Sequence, residues 1–295
     1  MSSVIEKIRH VDGAFAFVGL PCMVKAIHLL RRVDTEIAAK IKYTVGIVCG
    51  QLKSMNWTEL LAWQAGIEPK NLTGVRFREL PSAGSTAKDY RFRYFSPKYT
   101  TGVAADTKGA VGANWAHAVQ MIEACEYCDD VVGETADISI GDAWLSRYIS
   151  DRYGTNLVIT RSKELGDLIQ RGSESGALWI EQLTHDEAIA TQAGALRMRR
   201  EGLAYRLWLR EQNGEWHPTK RVRPSRTHIP KRRRRVYEVR ALIRSRSVRL
   251  FAAAKETGNL SVFQRAIRRA TRRHDRLSNP MYRRLLRAVL RRLRG

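Results

Sequence analysis

Short β-branched runs that alternate with helix-period segments constrain this chain more than any other feature. Residues 14–18 (AFAFV) read as a buried strand, and residues 22–32 follow with Val24, Ile27 and Leu30 at helical spacing beside charged positions. Residues 41–48 (IKYTVGIV) make a second β-branched run that stops at Cys49-Gly50, and helical periodicity resumes over 57–65. Two strand-turn-helix units of this kind close most simply as neighbouring parallel strands whose carboxyl ends share one rim. The spacing therefore predicts Cys22 and Cys49 on that rim.

Residues 72–79 (LTGVRFRE) and 89–95 (DYRFRYF) alternate apolar and basic positions around a Gly/Ser-rich loop at 81–86, which predicts a hairpin with a basic face. Arg76, Arg78, Arg91 and Arg93 on that face are either solvated, as on any half-buried strand, or line an anion site. Further along, 115–125 reads as helix, 136–140 (ADISI) as a strand closed by Gly141-Asp142, and 156–161 as a strand. A helix over 163–171, a strand near 177–181 and helix over 184–213 complete the pattern. The expected fold class is α/β: a mixed, mainly parallel sheet with flanking helices, followed by a basic helical tail.

Four cysteines occur, Cys22, Cys49, Cys125 and Cys128. That is too few for a disulfide-stapled secreted scaffold of 295 residues. A CxxC pair supplies two thiolates from one turn, and a tetrahedral metal or a cubane cluster needs two more. Cys22 after Gly19-Leu-Pro and Cys49 before Gly50 are suited to this, because both follow strands and glycine lets backbone approach a bulky group. Three readings stay open on spacing alone: four unrelated cysteines, a zinc site, or a 4Fe-4S cluster. Zinc ribbons pair two CxxC knuckles, whereas two of these ligands would be single residues on α/β loops, which favours the cluster.

At these residues the sequence resembles the coenzyme F420 hydrogenase/dehydrogenase beta subunits, iron-sulfur flavoproteins that include plant 7-hydroxymethyl chlorophyll a reductase. The resemblance runs through FVGLPCMVKAI at 17–27, VGIVCG at 45–50, VRFRE at 75–79, CEYCDDVVGETADISIGDAW at 125–144 and GTNLVIT at 154–160, and covers roughly residues 14–172. It implies that Cys22, Cys49, Cys125 and Cys128 hold one 4Fe-4S cluster beside FAD, with coenzyme F420 or another hydride donor on the two-electron side. A flavin accepts a hydride and releases electrons singly, and a cluster moves one at a time, so the pair converts two-electron to one-electron chemistry. Gly19, Gly50 and Gly141 are candidates for close backbone approach to the cofactors, and Arg76 and Arg78 for neutralising a flavin phosphate or an acidic substrate. Asp142 would orient a ring or sugar hydroxyl, or else cap a turn. Trp144 offers either a stacking ring or a core anchor.

Family members commonly carry a Gly-rich segment before the G-x-PC region that contributes to the flavin pocket, and often a ferredoxin-like module. Here only about a dozen residues precede the first strand. Three expectations follow: a start upstream of Met1, a redox partner or upstream subunit that completes the flavin site, or loss of the flavin. Relatives reduce chlorophyll-type substrates or sit among genes for surface polysaccharide synthesis, so the resemblance implies a reaction class and not a substrate. No Walker-type loop, Rossmann glycine pattern or Ser/His/Asp order occurs, and His28, His117 and His185 are not spaced as a metal site.

Charge divides the chain. Of 52 Lys+Arg and 29 Asp+Glu, residues 220–295 hold 26 and 3, so that stretch carries the whole formal excess of +23. The expected organisation is an iron-sulfur domain over 1–217, a Pro-containing linker at 218–230 and a basic amphipathic helical tail over 231–295 with helices at 236–255, 262–277 and 280–294. Such a tail fits an anionic membrane surface or an acidic protein partner. Its aromatic residues are too sparse to stack bases, so nucleic acid is not the expected partner. The longest nearly apolar stretch, 13–24, is about half of the roughly 20 residues a membrane span needs. With no leader pattern at the start, the expectation is a cytoplasmic protein, peripheral at the inner membrane surface if the tail binds lipid. The functional expectation is an iron-sulfur, flavin-dependent oxidoreductase linked to polysaccharide biosynthesis. The competing one is a non-catalytic scaffold stapled by zinc or an iron-sulfur cluster, which binds through its tail.

Overall fold

The computed structural model describes residues 2–80 and 85–279. Helix α1 (Ser2–His10) leads to strand β1 (Phe15–Gly19) and helix α2 (Pro21–Leu30), and short α3 (Thr35–Lys40) delivers β2 (Ile41–Ile47). After α4 (Met55–Gln64) come β3 (Gly74–Glu79), β4 (Arg91–Ser96) and β5 (Tyr99–Asp106). Next are β6 (Ile138–Asp142), α5 (Ser146–Ile149), β7 (Asn156–Thr160) and α6 (Lys163–Glu174). Helices α7 (His185–Thr191), α8 (Ala193–Arg199), α9 (Glu201–Gln212), α10 (Lys231–Thr257) and α11 (Leu260–Ser278) complete the described chain. No described helix is long and apolar enough to cross a membrane. The chain forms two compact units, one of residues 1–50 and 128–200, the other of 51–127 and 201–295.

The first unit is built on a four-stranded sheet in the order β1-β2-β6-β7. β1, β2 and β6 run parallel, with Gly19 opposite Gly46 and Ile47 opposite Ile140, and β7 closes the edge antiparallel to β6. The mixed, mainly parallel sheet expected from the sequence is what forms. Pro21 occupies the first turn of α2, where its missing N–H leaves no helical bond unmade. Val24 and Ile27 then turn inward one helical turn apart and pack with Phe17, Ile37, Ile41 and Ala136. At the start of α3 the Asp34 carboxylate accepts from the Ile37 N–H at 3.0 Å. Thr44 on β2 fastens the approach to β6: its N–H and hydroxyl both donate to Asp137 Oδ2, at 2.7 and 2.8 Å.

The second unit joins α4, a three-stranded antiparallel sheet in the order β3-β4-β5, and helices α9 to α11. The predicted hairpin exists, and β5 extends it. Arg78 on β3 has φ +60° within a bulge between Arg76 and Glu79. Trp57, Leu61, Phe92 and Tyr94 make one core, and Leu60, Val119, Ile243, Phe251, Phe263 and Ile267 make another. Of the three tail helices read from the sequence, the first two form as α10 and α11; the third, at 280–294, lies outside the described residues.

Two local readings change. Residues 115–125 are two short 3-10 turns and not one helix, because Ala118 (φ +58°) and Gln120 (φ +55°) are left-handed. Tertiary contacts hold this shape: the buried Gln120 donates from its N–H and Nε2 to Ser247, at 2.9 and 2.6 Å, while Met121 bridges Lys53. The strand expected near 177–181 is irregular, with Trp179 77% exposed, since no described strand pairs with it.

Candidate metal centre

On the first unit, the parallel order of β1, β2 and β6 brings their carboxyl ends to one rim. Cys22 sits in the first turn of α2, three residues past the end of β1, and is exposed; Cys49 sits two residues past the end of β2 and is half-buried. Val48 continues the ladder by donating to Ile140 O at 2.9 Å. The Cys49 N–H donates to Val131 O at 2.8 Å, which ties that loop to the segment that begins at Cys128. Cys128 Sγ–H donates to Asp130 O at 3.2 Å, and the Asp130 carboxylate accepts from the N–H groups of Gly133 and Glu134 at 3.0 and 2.9 Å. The loop is thereby organised by its own carboxylate. Cys22, Cys49 and Cys128 thus belong to one sheet edge and its adjoining loop.

Cys125 belongs to the second unit, where its Sγ accepts the Leu52 N–H at 3.2 Å. In sequence, Leu52 lies three residues after Cys49, and Cys125 three before Cys128. The set also suits a soft metal chemically: one sulfur already accepts a backbone N–H, as thiolate ligands of clusters do. Three half-buried cysteines and one exposed one leave sulfur accessible to an inorganic group.

The candidate glycines differ in what they touch. A Cβ on Gly141 would meet Val48 Cβ at 2.3 Å, so glycine is required there by packing, and one on Gly19 would meet the Phe17 ring edge at 2.7 Å, which could swing aside. A Cβ on Gly50 would meet nothing within 4 Å, and its carbonyl accepts a hydrogen bond from Arg199 Nη2. Asp142 ends β6 opposite Asn156, and its backbone carbonyl accepts from Gln192 Nε2 at 2.7 Å. Trp144 is 37% exposed, which removes the core-anchor reading.

Arg76 and Arg78 lie on β3 of the second unit. On the basic strand face Arg93 Nε donates to Glu79 Oε1 at 2.5 Å and Arg91 Nε meets Asp106 at 3.1 Å, while Arg76 stands 4.0 Å from the same Glu79 and Arg78 lies 5.6 Å above the Tyr90 ring. The Glu79 carboxyl is held below its usual range chiefly by the Arg93 hydrogen bond.

Sequence reasoning missed the side chains that surround the 123–127 turn. Arg206 of α9 donates from Nε and Nη2 to Glu126 O at 3.1 and 2.8 Å and meets its carboxylate at 3.0 Å. Arg240 of α10 donates to Ala116 O at 3.1 Å and to Gln51 Oε1 at 2.6 Å. Lys53 donates to Val119 O at 2.7 Å and lies 5.3 Å above the Trp115 ring. Its pKa is lowered to about 7 by burial first and by the Arg240 charge second, with Cys125 pulling the other way. Lys53 had a weak signal in its position four residues after Cys49; the two arginines had none in a chain so rich in them.

The family model for the C terminus of the coenzyme F420 hydrogenase/dehydrogenase beta subunit matches residues 12–186. Among solved structures, a chain of a xenon-derivatised F420-reducing NiFe hydrogenase complex from Methanosarcina barkeri is similar at 13% identity, with a TM-score of 0.38. The match covers 63% of this chain and 59% of that one, so this chain spans about three-fifths of that chain's length. No curated protein matches.

Proposed function

Because the chain belongs to the coenzyme F420 hydrogenase/dehydrogenase beta subunit family through its C-terminal-type region, we propose that it is an iron-sulfur oxidoreductase in which Cys22, Cys49, Cys125 and Cys128 hold one 4Fe-4S cluster. The observation that carries this reading is the bond from Cys49 N–H to Val131 O, which joins the strand-end cysteine loop to the CxxC loop. When bound, the cluster would supply one-electron transfer. The chain's own part is to present sulfur and to limit water. Cys22 stands in the first turn of α2, at the helix end that carries partial positive charge. Asp130 fixes the loop behind Cys128, and Leu52 N–H donates to the Cys125 sulfur.

FAD and coenzyme F420, or another hydride donor, form the two-electron side of the proposal. For a flavin the candidate set fits less completely. Gly50 has open space, and Asp142 stands at the rim, but Gly19 and Gly141 lie against Phe17 and Val48. A redox partner or upstream subunit that completes that site, and an acceptor in polysaccharide biosynthesis, belong to the same proposal.

Anaerobically purified protein should show a broad shoulder near about 400 nm that dithionite bleaches, with separate flavin bands if FAD is bound. A colourless protein holding one zinc per chain would establish the scaffold reading in its place. Cys49→Ser should lose most of the iron; full iron content in that variant would remove Cys49 from the ligand set.

A second reading concerns location. Arg265, Arg268, Arg269, Arg272, Arg273 and Arg276 are exposed on α11, beside the lone acid of that helix, Asp275. This face supports binding of the 231–295 region to an anionic membrane surface, where each such residue contributes on the order of 1 kcal/mol. Arg268→Glu with Arg272→Glu should abolish sedimentation with phosphatidylserine vesicles at low salt; unchanged sedimentation would sink this reading.

A further inference from the structure

The side chains around Cys125 carry an inference that rests on the cluster reading above and deepens it. Leu52 N–H already donates to the Cys125 sulfur, and the residues on either side of that bond are held by buried cations. Arg240, 7% exposed, grips the Gln51 side chain next to Leu52 and stands 4.0 Å from the Glu126 carboxylate next to Cys125. Arg206, 8% exposed, fixes Glu126 through both its carbonyl and its carboxylate. Lys53 follows Leu52 directly and reaches Val119 O. One turn earlier, Glu123 meets Arg210 at 3.6 Å and Arg244 at 3.8 Å. Lys53, Arg206, Arg210, Arg240 and Arg244 thus gather around the turn that carries Cys125, where Glu123 and Glu126 meet four of them and Glu215 also pairs with Arg210 at 3.0 Å.

Positive charge held in a partly buried site acts strongly on an anionic group placed beside it. A cysteine-ligated iron-sulfur cluster is such a group: it is anionic through its thiolates and gains one more negative charge with each electron. Nearby positive charge and N–H···S bonds stabilise the reduced form more than the oxidised one, which raises the reduction potential. We propose that Lys53, Arg206 and Arg240 form a cationic seat beneath the Cys125 side of the cluster and set its potential. Arg206 and Arg240 act as positioning residues through Glu126 and Gln51, and Lys53 acts through its charge. The basic C-terminal stretch thus contributes to the redox centre as well as to the surface.

The test is a potentiometric titration of the full chain carrying its iron, followed by visible absorbance, with iron and sulfide assayed in each sample. Lys53→Gln should retain the iron and shift the midpoint downward, so that at the wild-type midpoint the reduced-to-oxidised ratio falls about tenfold, or about 59 mV for one electron. Lys53→Arg, which restores the charge, should return the midpoint toward the wild-type value. Iron-loaded Lys53→Gln with an unmoved midpoint would overturn the seat while leaving the cluster intact. Equal shifts in Lys53→Gln and Lys53→Arg would also overturn it, because packing and not charge would then be responsible. Wild-type protein that binds no iron at all would instead overturn the underlying cluster reading.

Discussion

Gly141 and Val48 meet so closely that one added methyl group has nowhere to go. With a Cβ at Gly141 only 2.3 Å from Val48 Cβ, the two strands must separate or shift register. Gly141→Ala should therefore cost about 1–3 kcal/mol of stability, read as a lower urea midpoint; an unchanged midpoint would mean that the two strands yield freely at the rim. His274 gives a second residue-scale prediction. Its imidazole is buried on α11, accompanied by His117 and Asp275, with His117 Nε2 2.7 Å from Asp275 Oδ1. Burial first, then the charges of His117 and Arg240, lower its pKa, against the opposing pull of Asp275. A depressed histidine binds its proton more readily when unfolded, so its contribution is complete above about pH 6.5 and is lost as pH falls through the folded value. The thermal midpoint of the second unit should drop between about pH 7 and pH 5, and His274→Gln should flatten that dependence; an equally steep profile in the variant would assign it to other groups. The four cysteines stood out in the sequence as a candidate set because a CxxC accompanies two residues at strand ends. Arg206, Arg240 and His274 did not, since their meaning depends on which turn each one packs beneath.

At the scale of elements, periodicity identified β1, α2, β2, α4 and β7 because each buries side chains of its own, and α6 by its spacing alone, since none of its residues is fully buried. It misread 115–125, where the apolar positions are spaced as in a helix but Gln120 is committed to Ser247. It also gave no reason for β5, whose partners become evident only when β4 is in place. In α10, Ile243 and Phe251 are fully buried although the helix is dense in arginine. Phe251→Ala removes a ring that packs against Trp63 and Phe263, with centroids at 6.2 and 5.6 Å. It should destabilise the second unit by about 3–5 kcal/mol, measured by chemical denaturation, and a loss below about 1 kcal/mol would show that α10 is not anchored through this ring.

For the whole molecule, the +23 charge and the apolar stripe of the C-terminal helices act in different directions. The arginines that face out on α11 offer a charged surface, and the residues that face in on α10 and α11 cover Leu60, Val111 and Val119 of the second unit. A chain ending before Lys231 should therefore expose that core, bind a hydrophobic dye and lose cooperative unfolding of the second unit. A truncated chain with an unchanged unfolding transition would contradict the packing. For the same reason, charge reversal on α11 is a cleaner probe of surface binding than deletion. By itself the sequence determined the α/β class and the parallel strands, because both are written in local spacing: two-residue and 3.6-residue periods, and small residues where strands stop; the family was legible through the resemblance of its motifs. The tertiary structure alone decided which arginines are surface and which, like Arg206 and Arg240, are buried against Glu126 and Gln51, because burial of a long charged side chain depends on partners that are distant along the chain.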